Sequence, residues 1–173
     1  MRGFAAIGLD YPKNVINVGH VLRAAQCFNV KAVITSGTRY HRASTDTLNS
    51  TGQLPLIQVG DLHDAIPFGC VPVAIDLVAG AKPLPTFCHP ERAFYIFGPE
   101  DGTLGHRVLS WCRDVVYIPA GCLNLAAAVN VVLYDRLVKR QEWDANRVVA
   151  GRRFGMLQAK GEAALTPPPA PVP

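Results

Sequence analysis

A chain of 173 residues fits one domain and can bury about 70% of its unfolded surface without disulfides or metal. Apolar residues make up 49% and charged residues 17%, which marks a globular chain rather than a disordered one and leaves an exterior short of charge, so a self-associating surface is expected. The formal net charge of +4 permits a nucleic-acid partner without requiring one.

Phe4 to Leu9 reads as a short apolar strand closed by Asp10-Tyr11-Pro12. In the next segment Val18, Val21, Leu22, Ala25 and Phe28 recur at the spacing of a helix with one buried stripe. Asn17 stands where the cap is expected, Gly19 lets backbone or ligand approach the first turn, and Arg23 falls on the polar side, where a solvated arginine is the plain reading. Lys31 to Thr35 is the next strand, so the chain opens strand, helix, strand, which implies a parallel pair with a right-handed crossover. Ser36 to Pro55 is polar and irregular. Its Arg39, Tyr40, His41 and Arg42 suit either a substrate-contact loop or an ordinary solvated one.

Leu56 to Val59 is a brief strand, Asp61 caps a short helix through Ala65, and Val71 to Val78 is an apolar central strand. Ala79 to Arg92 is a connector with three prolines and one weak helical turn. Ala93 to Phe97 is a buried strand running into Gly98-Pro99-Glu100-Asp101-Gly102-Thr103-Leu104-Gly105, a tight turn that brings bare backbone to the sheet edge. It is neither a P-loop nor GxGxxG. A short helix through about Cys112 follows, then the strand Val115 to Ile118, which Pro119 ends. From Leu123 to Leu133 the residues are apolar on nearly every side except at Asn124 and Asn130, as in a helix covered all round. Asn124, at its entrance, suits a cap, a ligand-facing group, or both.

Beyond Gln141 the apolar periodicity fades. Arg136, Lys139, Arg140, Arg147, Arg152, Arg153 and Lys160 face only Glu142 and Asp144, which makes this the most cationic piece of the chain, and the proline-rich end is expected to be extended or disordered. The five cysteines are widely spaced, with no CxxC pair, and at least three lie in apolar sequence; they read as reduced core thiols of a cytoplasmic protein. The histidines show no metal-ligand spacing, so no metal is expected. No signal-peptide pattern is present, and no apolar run approaches the ~18 residues needed to span a bilayer.

Three pieces, Asn17-Val-Gly19-His-Val-Leu-Arg23, Ile96-Phe97-Gly98-Pro99-Glu100-Asp-Gly102-Thr-Leu-Gly105, and Ile118-Pro119 followed by Cys122-Leu123-Asn124, occur in this order. Together they resemble the signature motifs of the SpoU/TrmH branch of the SPOUT RNA methyltransferases, over about residues 4 to 140. The resemblance implies an α/β fold with a mostly parallel sheet, helices on both faces and a C-terminal trefoil knot. It implies a methyltransferase domain over 1–140, followed by a basic, then proline-rich tail over 141–173 that is partly disordered, and it implies a homodimer. The activity implied is transfer of a methyl group from S-adenosylmethionine to a ribose 2′-hydroxyl of transfer or ribosomal RNA.

By position, Gly98, Ile118 and Leu123 resemble the residues whose backbone holds adenine and ribose, with Leu77, Gly102 and Cys122 in the same cofactor-binding set. Arg23 resembles the family's catalytic arginine. Because a guanidinium is a poor proton acceptor, binding phosphate and stabilising the forming alkoxide suit it better than acting as a base. Asn17, Glu100 and Asn124 complete the catalytic set implied, orienting the arginine or phosphate, bracing the turn and fixing the pocket. The family's usual serine before Leu-Asn is Cys122 here, and only Ala120 and Gly121 separate Pro119 from it. The short turn motivates an alternative function, a knotted RNA-binding or assembly protein without catalysis. Phosphate contacts are expected from the Arg39 to Arg42 loop and the Arg147 to Lys160 tail.

Overall fold

The computed structural model describes residues 3–37 and 54–142. The loop carrying Arg39 to Arg42 and the tail from residue 143 lie outside them. Seven strands form one sheet in the order β3-β2-β1-β6-β4-β7-β5. They are β1 (Phe4–Asp10), β2 (Ala32–Ser36), β3 (Leu56–Val59), β4 (Val71–Ile75), β5 (Lys82–Pro83), β6 (Arg92–Phe97) and β7 (Asp114–Tyr117). All six pairings are parallel.

A parallel sheet needs crossovers that cover both faces, and the alternation along the strands supplies two apolar surfaces. Ile7, Leu9, Val33, Val73, Tyr95, Phe97 and Val116 face helices α1 (Val15–Cys27) and α3 (Leu125–Lys139). Ala6, Ile34, Ala74, Phe94 and Ile96 face Leu62, the turn 102–104 and α2 (Gly105–Leu109). Helices on both faces, as expected, place the starts of α1 and α3 near the carboxyl edge, since each runs back along the strands.

Several expectations are corrected. Asn14, not Asn17, caps α1: its Oδ1 accepts from Ile16 N at 2.9 Å, which puts Asn17 inside the first turn with its side chain free for other work. The strand expected to reach Val78 stops at Ile75, because Asp76 turns its carboxylate to the amides of Leu77 (2.7 Å) and Leu104 (2.8 Å). The connector contains the edge strand β5, paired with β7. Of the cysteines only Cys70 is buried; Cys27, Cys88 and Cys122 are exposed, and all five are free thiols. The helix read as covered all round is open at Val131, Tyr134 and Val138 in the single chain.

Three of the cations counted as the most basic stretch are structural. On the last turns of α3, Arg136 donates to the carbonyls of Pro90 (2.6 Å) and Glu91 (2.8 Å), Lys139 to those of Leu84 and Phe87, and Arg140 to that of His89. Their charge ties the connector to α3 and is not available for phosphate. No described helix is long and apolar enough to cross a membrane, and among the described residues no group of three His, Cys, Asp or Glu stands close enough to hold a metal ion.

Candidate functional site

In an open parallel sheet the crevice lies outside the carboxyl ends of the strands. Here β4 lies between β6 and β7, with Ile75 level with Phe97 on one side and Val116 on the other. Leu77, Gly98 and Ile118, each one or two residues past its strand, therefore emerge side by side at one edge. Space at Gly98 is tight: a Cβ there would stand 3.3 Å from Leu104 N and 3.4 Å from the Leu104 side chain, so Leu104 would have to give way slightly. Gly102 folds back on the same turn, its amide donating to Pro99 O at 3.4 Å. Cys122 and Leu123 lie between β7 and α3, both exposed. Leu77 is 69% exposed and Leu123 38%, an apolar pair facing solvent at the rim of the crevice.

Next to this edge the three motifs meet in one chain of hydrogen bonds. Glu100 accepts from Asn17 Nδ2 at 2.8 Å, and Asn17 Oδ1 accepts from Asn124 Nδ2 at 3.0 Å. Asn124 Oδ1 then caps α3 through Ala126 N at 2.9 Å. Glu100 also takes the amides of Lys13 (2.8 Å) and Asn14 (3.2 Å), so one carboxylate gathers the first turn of α1. Burial opposes ionisation of Glu100, but the bonds from Asn17, Lys13 and Asn14 outweigh it and hold its carboxyl below the usual value. The acid is therefore a fixed acceptor.

Arg23 does not join this cluster. It lies six residues beyond Asn17, about 9 Å along α1 and about 120° around it. It is exposed, and among the described residues it has no hydrogen bond or ion pair. Of the expected catalytic set, three residues converge and the fourth stands apart as an unpaired cation. Sequence reasoning missed Lys13, Asn14 and Asp76. An Asn three residues before Asn17 was a visible cap signal; backbone donors leave no mark in sequence.

A second feature borders α3. A groove of about 550 Å³ is lined by Phe28, Leu84, Ile118, Val131, Tyr134 and Val138, among others, so it adjoins the β7–α3 turn.

The model of the SpoU rRNA Methylase family matches residues 5–134. No curated protein matches the chain. Among solved structures, the SpoU methyltransferase AviRb from Streptomyces viridochromogenes superimposes with TM-score 0.71 at 21% identity, over 82% of this chain and 62% of that one. It has also been solved in complex with the cofactor AdoMet. The A. aeolicus TrmH/SpoU tRNA modifying enzyme gives TM-score 0.71 at 18% identity, over 82% and 77%. An RNA 2′-O ribose methyltransferase gives 0.69 at 21%, over 82% and 58%. The chain thus spans about three fifths of the length of the first and last of these. These likenesses confirm the α/β fold, and the family match, over most of the chain and all three motifs, identifies the protein as a member of the SpoU rRNA methylase family.

Proposed function

We propose that the chain is an S-adenosylmethionine-dependent RNA ribose 2′-O-methyltransferase that works as a homodimer. The observation that carries this reading is the hydrogen-bonded chain Glu100–Asn17–Asn124, one residue from each motif, beside the edge where Leu77, Gly98 and Ile118 emerge together. The residues fit a nucleoside whose flat base packs its faces on apolar side chains. Gly98 leaves bare backbone where a Cβ would crowd Leu104, and Leu77 and Leu123 offer uncovered apolar surface for an adenine. The cofactor supplies a methyl group already activated by a sulfonium.

The protein's share is then positioning. Leu77, Gly98, Gly102, Ile118, Cys122 and Leu123 hold the donor, while Asn17, Glu100 and Asn124 fix the start of α1 against the start of α3 so that the two sides of the crevice cannot drift. Arg23, without a partner among the described residues, is free to bind the phosphate next to the target ribose and stabilise the oxygen as it loses its proton. Its distance from Asn17 along α1 supports action on a site held by the second copy, whose apolar contact would be the open α3 stripe and its groove. A chain end threaded as a trefoil knot is part of the same reading. The expected division, a methyltransferase domain over 1–140 and a tail beyond, belongs to the same proposal, as does a cytoplasmic location.

A second reading, RNA binding without catalysis, is favoured by the short turn in which Ala120 N donates to Ile118 O at 2.7 Å. Calorimetry with S-adenosylhomocysteine separates the two readings, since absent or millimolar binding supports the second. Mapping 2′-O-methylation on total RNA with and without the protein tests the first. A site that gains a methyl group only when the protein is present supports it, and an unchanged map refutes it.

A further inference from the structure

The first residue after β1 is held in a conformation its side chain disfavours. Tyr11 has φ +47°, in the left-handed region. Its amide donates to Ser36 O at 3.1 Å and Ser36 Oγ at 3.3 Å, and Ser36 Oγ in turn donates to the buried Asp10 Oδ1 at 2.7 Å. The ring lies against Gly37 so closely that a Cβ at Gly37 would collide with its Cδ1, Cε1 and Cγ. One side of the ring is thus fixed on backbone, yet 42% of the residue stays open to solvent. A strained residue held by its surroundings and turned outward is a functional signal.

Beside it, Arg107 on α2 donates to Asp10 (3.2 Å), the residue before Tyr11, and to Asp61 (2.6 Å), and half its side chain is exposed. Two carboxylates and one guanidinium sum to a formal charge of −1, which repels phosphate while leaving further guanidinium N–H groups for a neutral acceptor. Two residues along, Lys13 gives its amide to Glu100, so the Tyr11 backbone lies within ~7 Å of chain of the residue that joins the cluster.

We infer that Tyr11 is a stacking platform for an unpaired RNA base flanking the nucleotide to be modified, with Arg107 offering hydrogen bonds to that base's edge. The inference rests on the RNA reading above. A ring already immobilised loses little freedom when a base stacks on it, and every base has a face to offer. The negative local charge selects a base over a backbone phosphate.

Full-length protein is titrated by fluorescence anisotropy with labelled oligouridylate and with a base-free ribose-phosphate oligomer of equal length. The key variant is Tyr11→Asn, because a short amide tolerates the left-handed backbone; Tyr11→Gly replaces it if the Asn variant melts early. Loss of a stacked base weakens oligouridylate binding by roughly 5- to 150-fold, leaves the slope of log affinity against log salt unchanged, and does not alter binding of the base-free oligomer. Tyr11→Phe retains the wild-type affinity. Unchanged affinity in the Asn variant overturns the inference and leaves the RNA reading standing. A shallower salt slope, or an equal loss on the base-free oligomer, overturns it in favour of a phosphate contact. If the wild type binds neither oligomer, the RNA reading fails and this inference with it.

Discussion

Asn124 Nδ2 donates to Asn17 Oδ1 at 3.0 Å, and that bond assigns both amides. With its oxygen occupied, Asn17 has its NH2 for Glu100, and Asn124 has its oxygen for the first amides of α3. The chain of bonds has one direction only. Asn124→Asp keeps the helix cap, which a carboxylate serves well, but sets an acceptor against the acceptor of Asn17. The expected loss is about 1–3 kcal/mol, read as a lower urea midpoint at unchanged slope. Asn124→Ser, which keeps the cap without the clash, should cost less. Equal stability of Asp and wild type would mean the amides point the other way.

Glu100 carries an acid sensitivity with a definite sign. Its folded carboxyl is held below the ordinary 4.5, mainly by Asn17 and the Lys13 amide against the opposing effect of burial. The unfolded chain therefore binds the proton first. The stability this group contributes is present above about pH 4.5 and is lost as pH falls through the folded value. Glu100→Gln, whose NH2 must face either the Lys13 amide or the Asn14 and Asn17 donors, should be less stable at neutral pH and should flatten that acid limb. Denaturation midpoints across the acid range for both proteins check the pair of effects.

How much of this was legible depends on what each residue announces. The strands β1, β2, β3, β6 and β7 show apolar runs, and Asn124 is an isolated amide at the head of an apolar stretch, so both were readable. Asn17 was misread as a cap because helical spacing alone cannot separate a cap from a position three residues later, and Asn14 satisfies the same rule. The two residues of β5, one of them proline, are too short for any periodicity. Cys88 and Cys122 stand in apolar sequence but on connecting segments, where neighbours in the chain are not neighbours in space. The open stripe of α3 looked like core because its sequence is apolar, and apolar spacing alone does not separate a core face from an exposed one.

His89 gives a second pH dependence, opposite in charge type. Its ring is fully enclosed between Tyr95 Oη (2.6 Å from Nδ1) and Asp135 Oδ2 (2.8 Å from Nε2). Arg136 already donates to Tyr95 Oη, so the phenol gives its hydrogen to Nδ1, and Nε2–H is left for Asp135. A neutral ring satisfies every partner. Burial depresses its pKa below 6.5 despite Asp135, and the charges of Lys139 and Arg136 act the same way as burial. The unfolded chain thus takes up a proton that the folded one refuses, and stability falls as pH drops from 6.5 toward the folded value. His89→Gln, neutral at every pH, should remove this slope between about pH 7 and pH 5.5, which thermal melts at the two ends would show.

Tyr134 is the exposed centre of the α3 stripe, 61% open in one chain, between Val131 and Val138. If a second copy covers the stripe, a charge there must be desolvated without a partner. Tyr134→Glu should then yield monomers by sedimentation velocity, with the fold intact by circular dichroism. A monomeric wild type would refute the homodimer, and a dimer indifferent to the substitution would place the contact elsewhere.

Arg23 offers the sharpest test of how two copies cooperate. It is exposed and, among the described residues, unpaired, so Arg23→Ala should leave stability within about 0.5 kcal/mol of wild type and cofactor affinity unchanged, while methyl transfer is lost. Gly98→Val should do the reverse: its added methyls press on Leu104, where a Cβ alone already stands 3.3 Å from the amide, so the donor is excluded while Arg23 remains intact. Each variant alone is inactive. If the arginine serves its own chain's crevice, mixing the two restores nothing. If it serves the partner's, half of a random mixture is heterodimer with one crevice and one arginine properly matched, and about a quarter of wild-type methyl transfer returns.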